Sequence, residues 1–189
     1  ALTTGNNNTA SGWSAMAATT DGYQNTATGS AALRNNTTGH SNTAMGAQAL
    51  RDNVDGDRST AVGSYALRNN TIGYSNTAIG DAAMQENLTG INNVAFGASA
   101  LSLNTSGDAN TAVGDHALPD LATGDNNISI GALSGQNLVS GAGNIYISAD
   151  AAAAAESSTL RVGSGLTRAF VAGIRGITTG AADAIPVVI

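Results

Sequence analysis

The chain has 189 residues, of which 11% are charged, a formal net charge of −6 and no cysteine. These values exclude a disulfide-stapled secreted module, and they do not provide the basic surface that binds nucleic-acid phosphates. Two Phe, one Trp and four Tyr are too few and too scattered for a base-stacking platform. The sequence also lacks a run of about eighteen apolar residues that would span a bilayer as a helix.

Glycine recurs with a period of seventeen residues in two parallel series, which start at Gly5 and Gly12. A fixed period over about nine copies without an insertion is typical of a solenoid, in which each copy forms one coil and stacks on the next. Glycine tolerates the positive φ that tight corners require. We therefore predict that both series form the corners of the coils. The clearest members are Gly39, Gly46, Gly56, Gly63, Gly73, Gly80, Gly90, Gly97, Gly107 and Gly114.

Each copy contains one short segment in which residue character alternates with a period of two, such as Thr43-Ala44-Met45. This pattern predicts a short strand with one buried edge, whereas two Gly, several Asn and β-branched Thr in each copy oppose a helix. The third position of the segment is usually large and apolar, and we predict that it forms the core. Its members are Met45, Val62, Ile79, Phe96, Val113 and Ile130. The Ala-Leu element that follows, such as Ala66-Leu67, fits either a second strand or a tight turn.

Asparagine occupies one position of the repeat in all but one of the copies. Stacked coils place these residues above one another, and we predict an amide ladder in which each side chain bonds the next coil. Ser59 interrupts this row once. Its members are Asn8, Asn25, Asn42, Asn76, Asn93, Asn110, Asn127 and Asn144.

The apolar side chains of one coil are few and small, for example Ala78, Ile79, Ala83 and Met84. Their burial contributes little against an ordering cost of about 1–2 kcal/mol for each residue's backbone. We therefore expect several chains to pool their apolar edges around a common axis. The chain also begins inside a repeat, so we expect it to be an internal or processed piece of a longer protein.

The repeat weakens after Gly131, and Ser148 stands where the next glycine is expected. We predict three regions: a solenoid over 1–148, an Ala-rich junction over 149–158, and a β-rich trimeric stem over 159–189. The stem prediction depends on apolar segments such as Phe170-Val171-Ala172-Gly173-Ile174.

Residues suited to catalysis or metal binding are sparse. His40 and His116 occupy different repeat positions, and we interpret both as solvated loop residues. Two predicted corners are rich in aspartate: one contains Asp52, Asp55 and Asp57, and the other contains Asp120 and Asp125. Carboxylates at such a corner could bind calcium, but a solvated acidic loop is the preferred interpretation. We therefore predict no catalytic residue, no cofactor and no metal site.

Two alternative functions depend on residue columns. Regular threonines at Thr9, Thr26, Thr43, Thr60, Thr77 and Thr111 fit an ice-binding face, although Val94, Ile128 and Ile145 interrupt them. A glycan hydrolase of the tailspike type needs two carboxylates about 5–9 Å apart. Asp81 with Asp115, or Asp108 with Asp125, are the nearest candidates.

The segments Asn42-Thr43-Ala44-Met45-Gly46 and Asn76-Thr77-Ala78-Ile79-Gly80 resemble the repeat in the heads of trimeric autotransporter adhesins. They are also similar to repeat arrays of large bacterial and phage fibre proteins. The end of the chain, from Thr167 through Ile189, resembles the segment that precedes an endosialidase-type intramolecular chaperone, and the chaperone itself is not in this sequence.

These resemblances imply an all-β, homotrimeric β-roll or β-solenoid of seventeen-residue coils with an interwoven C-terminal stem. They also imply a non-enzymatic fibre or adhesin segment outside the cell, on a bacterial surface or a virion tail. The expected partners are two further copies of the chain and a host-cell glycan or surface receptor, with no nucleic acid and no membrane insertion.

Overall fold

The computed structural model describes residues 5–151, 153–164 and 166, and these residues form a parallel β-solenoid of about nine turns without a helix. Each coil contributes one strand of three residues, and the strands form a single ten-stranded parallel sheet in chain order. The strands are β1 Thr9–Ser11, β2 Thr26–Thr28, β3 Thr43–Met45, β4 Thr60–Val62, β5 Thr77–Ile79, β6 Val94–Phe96, β7 Thr111–Val113, β8 Ile128–Ile130, β9 Ile145–Ile147 and β10 Leu160–Val162.

The register of the sheet follows the sequence period. From β1 to β9, every residue pairs with the residue seventeen positions later, as Thr43 does with Thr60. The last step is shorter by two residues, because Ile145 pairs with Leu160. The Ala-rich segment therefore closes one more coil, and β10 belongs to the same sheet. The predicted solenoid boundary at residue 148 was too early, because β10 lies inside the predicted stem over 159–189 and continues the sheet of the solenoid. The rest of that predicted stem, from residue 167 to 189, lies outside the described residues.

The interior of each coil is lined by the middle residue of the strand and by the Ala-Leu element. Ala44, Ala49 and Leu50 of one coil are fully buried, and the neighbouring coils repeat this set. The Ala-Leu element lies in a turn, which decides between the two readings that the sequence left open. Leu50 has a φ of 50° there. Its left-handed backbone costs about 1–2 kcal/mol, which the burial of a leucine side chain, worth about 1.5–3 kcal/mol, offsets.

The residues predicted as the core lie on the outside of the coil. Met45, Phe96, Val113 and Ile130 are exposed, and Val62 and Ile79 are partly exposed. That prediction was wrong because successive strand residues point to opposite faces, and the inward position is the alanine between the two larger residues. The large apolar residues therefore form an outer surface of this chain.

The two series of corner positions require glycine for different reasons. Gly46 and its equivalents have φ near 140°, a backbone conformation that a side chain strains. The glycines of the series that contains Gly73 do not have a positive φ. Glycine is required there because neighbouring atoms leave no room for a side chain. A Cβ at Gly73 would lie 2.5 Å from the carbonyl oxygen of Gly90 and 2.5 Å from Oδ1 of Asn70. The positive φ predicted for both series was therefore wrong for Gly39, Gly56, Gly73, Gly90 and Gly107.

Asparagines fill two columns in the interior. In the first, the Asn42 column, Oδ1 of Asn42 accepts from the backbone N–H of Ser59 (2.9 Å), and Nδ2 donates to the carbonyl of Gly56 (2.7 Å). The bonds of this column run mainly from side chain to backbone of the next coil. Ser59 accepts from the N–H of Asn76 (3.3 Å), and its hydroxyl bonds Asp57 within its own coil.

The second column was not predicted, and we call it the Asn70 column: Asn36, Asn53, Asn70, Asn87 and Asn104. From Asn53 onward, Nδ2 of each asparagine donates to Oδ1 of the one in the preceding coil, as Asn70 does to Asn53 (2.7 Å). The same Nδ2 bonds a glycine carbonyl of its own coil, which is Gly73 for Asn70 (2.9 Å). The column ends where Leu121 replaces asparagine, and Oδ1 of Asn104 is left without a hydrogen-bond partner.

Left-handed backbone recurs at non-glycine residues, which gives the first prediction. Ala109 is exposed with a φ of 54°, and the equivalent position two coils later is Gly143. Replacing Ala109 by Gly relieves about 1–2 kcal/mol of backbone strain and adds about 0.5–1 kcal/mol of unfolded-state entropy. We expect Ala109→Gly to raise the free energy of unfolding by up to about 1 kcal/mol in urea denaturation. Ala98→Gly, at an exposed site without positive φ, should lower it.

Candidate interaction surface

The strands present two columns of side chains on the outer side of the sheet, which we call the outer sheet face. The first column comprises Thr9, Thr26, Thr43, Thr60, Thr77, Val94, Thr111, Ile128, Ile145 and Leu160. The second comprises Ser11, Thr28, Met45, Val62, Ile79, Phe96, Val113, Ile130, Ile147 and Val162. None of these twenty positions holds a charged residue, although the chain has twenty Asp, Glu and Arg residues.

The composition of the outer sheet face changes along the solenoid axis. Its outward positions are hydroxyl-bearing in β1 and β2, hydroxyl-bearing and apolar side by side in β3, β4, β5 and β7, apolar in β6, and entirely aliphatic in the three consecutive strands β8, β9 and β10. At the C-terminal end, Ile130 is 44%, Leu160 65% and Val162 54% exposed. The described chain therefore leaves its most apolar outer surface uncovered on the last three strands.

Four polar or aromatic residues form a cluster beside the sheet. The ring of His40 stacks on Tyr23, with centroids 4.6 Å apart, and Nε2 of His40 lies 3.0 Å from Oδ2 of Asp57. The backbone N–H of His40 also donates to Oδ1 of Asp57 (2.8 Å), and Oγ of Ser41 lies 3.4 Å from Nδ1 of His40. From the sequence, His40 was interpreted as a solvated loop residue. The signal that this interpretation missed was the seventeen-residue spacing, which stacks Tyr23, His40 and Asp57.

The other acidic candidates bond different partners. Asp52 bonds Arg51 and Asn35, Oδ1 of Asp55 accepts from the Thr38 hydroxyl, and Asp120 accepts from the N–H of Asn137 (3.1 Å). Within the described ranges, the structure does not group three or more His, Asp or Glu side chains suited to a metal ion.

The carboxylate pairs considered for glycan hydrolysis are arranged as follows. Asp125 accepts from the backbone N–H of Asp108 (2.8 Å), and Asp81 and Asp115 occupy equivalent positions two coils apart. His116 lies beside Asp115, with Nδ1 3.2 Å from Oδ2, and both side chains are exposed.

The Arg51–Asp52 pair gives the second prediction. The hydrogen bond from Arg51 is the main reason that the pKa of Asp52 lies below its ordinary value. The pair therefore stabilises the fold above the unfolded-state pKa of about 4, and this contribution is lost as pH falls through the lower folded-state pKa. We expect Asp52→Asn to lower the free energy of unfolding by up to about 1 kcal/mol at neutral pH. Denaturation curves at a series of pH values should show that the difference in stability between the wild type and Asp52→Asn disappears in acid. High salt at neutral pH should also reduce this difference.

The described part of the chain contains no candidate for a membrane-spanning helix. Comparison with known proteins identified no similar chain: no family model, no curated protein and no solved structure matches the sequence.

Proposed function

We propose that this chain is a structural segment of a homotrimeric surface fibre or adhesin, which holds a binding region at a distance from a cell or virion. The observation that supports this role most is the unbroken stack of coils. Nine consecutive strand pairs are parallel, and the first eight keep one register. Their interior is filled by alanine, leucine and two asparagine columns.

Such a stack is suited to act as a spacer. Each coil adds about 4.8 Å along the axis, so the described strands extend for roughly 43 Å. The Asn42 and Asn70 columns connect each coil to the next by buried hydrogen bonds, and bending would break these bonds. Three parallel chains would present three equivalent copies of any terminal binding site, which raises avidity.

The oligomeric state and shape of the protein test this proposal together. We expect light scattering coupled to size-exclusion chromatography to give the mass of three chains. Small-angle X-ray scattering should give a rod whose length increases by one strand spacing for each added coil. A monodisperse monomer, or a compact globular particle, would contradict the proposal.

Ice binding is a second candidate, because the threonine column lies outward on a regular sheet. Thr43, Thr60 and Thr77 are aligned on consecutive strands and are partly exposed. The apolar residues Val94, Ile128 and Ile145, which interrupt the threonine column in the sequence, are exposed on the same face. Ice binding requires an uncovered face, whereas the trimer would cover it. Ice binding would be favoured over the fibre role if the protein is a monomer that shows thermal hysteresis, and if Thr60→Leu abolishes that hysteresis.

A further inference from the structure

We propose that the outer sheet face is the surface through which copies of this chain pack on one another, and that the aliphatic side chains of β8, β9 and β10 provide most of the association. This inference rests on the proposed homotrimer. It assigns the interface to one face of the coil and to one end of the rod.

The first argument is the distribution of charge. The Asp, Glu and Arg side chains of the described coils lie at corners, in turns or, for Arg161, at an inward strand position, and none lies on the outer sheet face. Depletion of charge and enrichment of large apolar side chains characterise the buried centre of protein interfaces. Exposed apolar side chains here form continuous columns, and such surfaces on soluble proteins mark interaction sites.

The second argument identifies the partner as another copy of the chain. The columns repeat once per strand, about every 4.8 Å, over ten strands. A partner that fills the spaces between these side chains along the whole face needs the same axial spacing. A parallel copy at the same height has this spacing by construction, and it sets the aliphatic end of one chain beside the aliphatic end of the next.

The third argument concerns the symmetry. Each chain presents two adjacent columns, one in which threonine predominates and one that is mainly aliphatic. Around a threefold axis, the second column of one chain can face the first column of its neighbour, and this heterologous contact closes after three chains. At β8, β9 and β10 both columns are aliphatic, so the contact is apolar from either side.

The gradient along the axis makes the inference testable with matched variants. Ile130→Asp/Ile147→Asp places charges on β8 and β9, and Thr26→Asp/Thr28→Asp places the same charges on β2. A third variant, Leu133→Asp, adds a charge at a 48% exposed leucine that lies outside the outer sheet face. Light scattering with size-exclusion chromatography gives the mass of each variant, and circular dichroism reports whether it is folded.

We expect Ile130→Asp/Ile147→Asp to weaken association by about 100-fold or more, equivalent to about 2.8 kcal/mol. The Thr26→Asp/Thr28→Asp and Leu133→Asp variants should remain trimers. If Ile130→Asp/Ile147→Asp does not fold, Ile130→Thr/Ile147→Thr replaces it, since Thr28 of β2 holds threonine at the equivalent strand position. Weaker association of this variant supports the inference.

Two outcomes would overturn the inference. One is a folded Ile130→Asp/Ile147→Asp or Ile130→Thr/Ile147→Thr variant that associates as tightly as the wild type. The other is stronger disruption by Thr26→Asp/Thr28→Asp than by the β8 and β9 substitutions. In both cases a trimeric wild type would leave the proposed fibre function intact. A monomeric wild type would instead overturn the proposed function and this inference with it.

Discussion

Replacing Tyr146 by alanine is expected to lower the free energy of unfolding by about 4 kcal/mol. Tyr146 is fully buried at the strand position that is alanine in most other coils. It fits because Gly135 stands in the preceding coil where other coils have leucine or methionine. A Cβ at Gly135 would lie 3.2 Å from Cδ2 of Tyr146 and 2.7 Å from Cδ2 of Leu118. The tyrosine ring therefore lies beside the space that the missing side chain leaves, and its loss would leave a cavity.

The compensating substitution is the sharper part of this prediction. Gly135→Leu alone introduces a side chain against the ring of Tyr146, at a cost of about 1–3 kcal/mol. Tyr146→Ala/Gly135→Leu restores the alanine and leucine of the other coils, so its cost should be smaller than that of Tyr146→Ala alone. Leucine also accepts the left-handed backbone at this position, since Leu118 has a φ of 50° one coil earlier.

Urea denaturation of the four proteins at one chain concentration measures the coupling between the two sites. Leu133→Ala, at an exposed leucine, is the control and should lower the free energy of unfolding by less than about 1 kcal/mol. If the loss of stability in the double variant equals the sum of the losses in the two single variants, the tyrosine does not occupy the space of the missing leucine.

The side chain of Tyr146 also connects the last two coils. Its hydroxyl lies 3.2 Å from Oε2 of Glu156, whose other oxygen bonds Arg161 in β10. Burial raises the pKa of this hydroxyl well above its ordinary value, and the nearby Glu156 carboxylate raises it further. The phenol is therefore protonated at neutral pH and donates to the carboxylate, which helps the shortened coil to close.

The repeat predicted the architecture because each coil has the same length and therefore the same neighbours above and below. The register of β1 to β9 follows from the spacing of residues such as Thr43 and Thr60 alone. The period did not indicate which side of the strand faces inward, since alanine and a large apolar residue alternate at adjacent positions. The narrow coil decides this, because opposite walls are close enough that alanine fills the gap, and Tyr146 enters only opposite Gly135.

Polar residues were the harder part of the sequence to interpret. The Asn-rich stretch that contains Asn53 and Asn70 has the composition of a solvated loop, yet both side chains are fully buried. Stacking allows this, because every coil supplies a partner for the amide of the next. The His40–Asp57 pair was missed for the same reason, since its members are distant in sequence but adjacent along the axis. Comparing residues seventeen positions apart would have found both features.

Replacing Asn70 by leucine is expected to lower the free energy of unfolding by about 3–5 kcal/mol, although leucine is more hydrophobic. Nδ2 of Asn70 donates to Asn53 and Gly73, and its Oδ1 accepts from Asn87 (2.7 Å). The substitution leaves Oδ1 of Asn53 and the carbonyl of Gly73 without these donors, and each buried group costs about 1–3 kcal/mol when left unpaired. Ser59 does not compensate, because its hydroxyl bonds Asp57.

Asn104→Leu is the matched control and should change the free energy of unfolding by less than about 1 kcal/mol. It removes the unpaired Oδ1 of Asn104 and leaves Oδ1 of Asn87 unpaired instead, so the number of unsatisfied acceptors in the Asn70 column is unchanged. The carbonyl of Gly107 keeps its bond from Asn93 (2.7 Å). Leucine already occupies the next position, Leu121, and fits beside its glycine. Equal costs for the two variants in urea denaturation would show that side-chain size, rather than the continuity of the amide column, determines stability at this position.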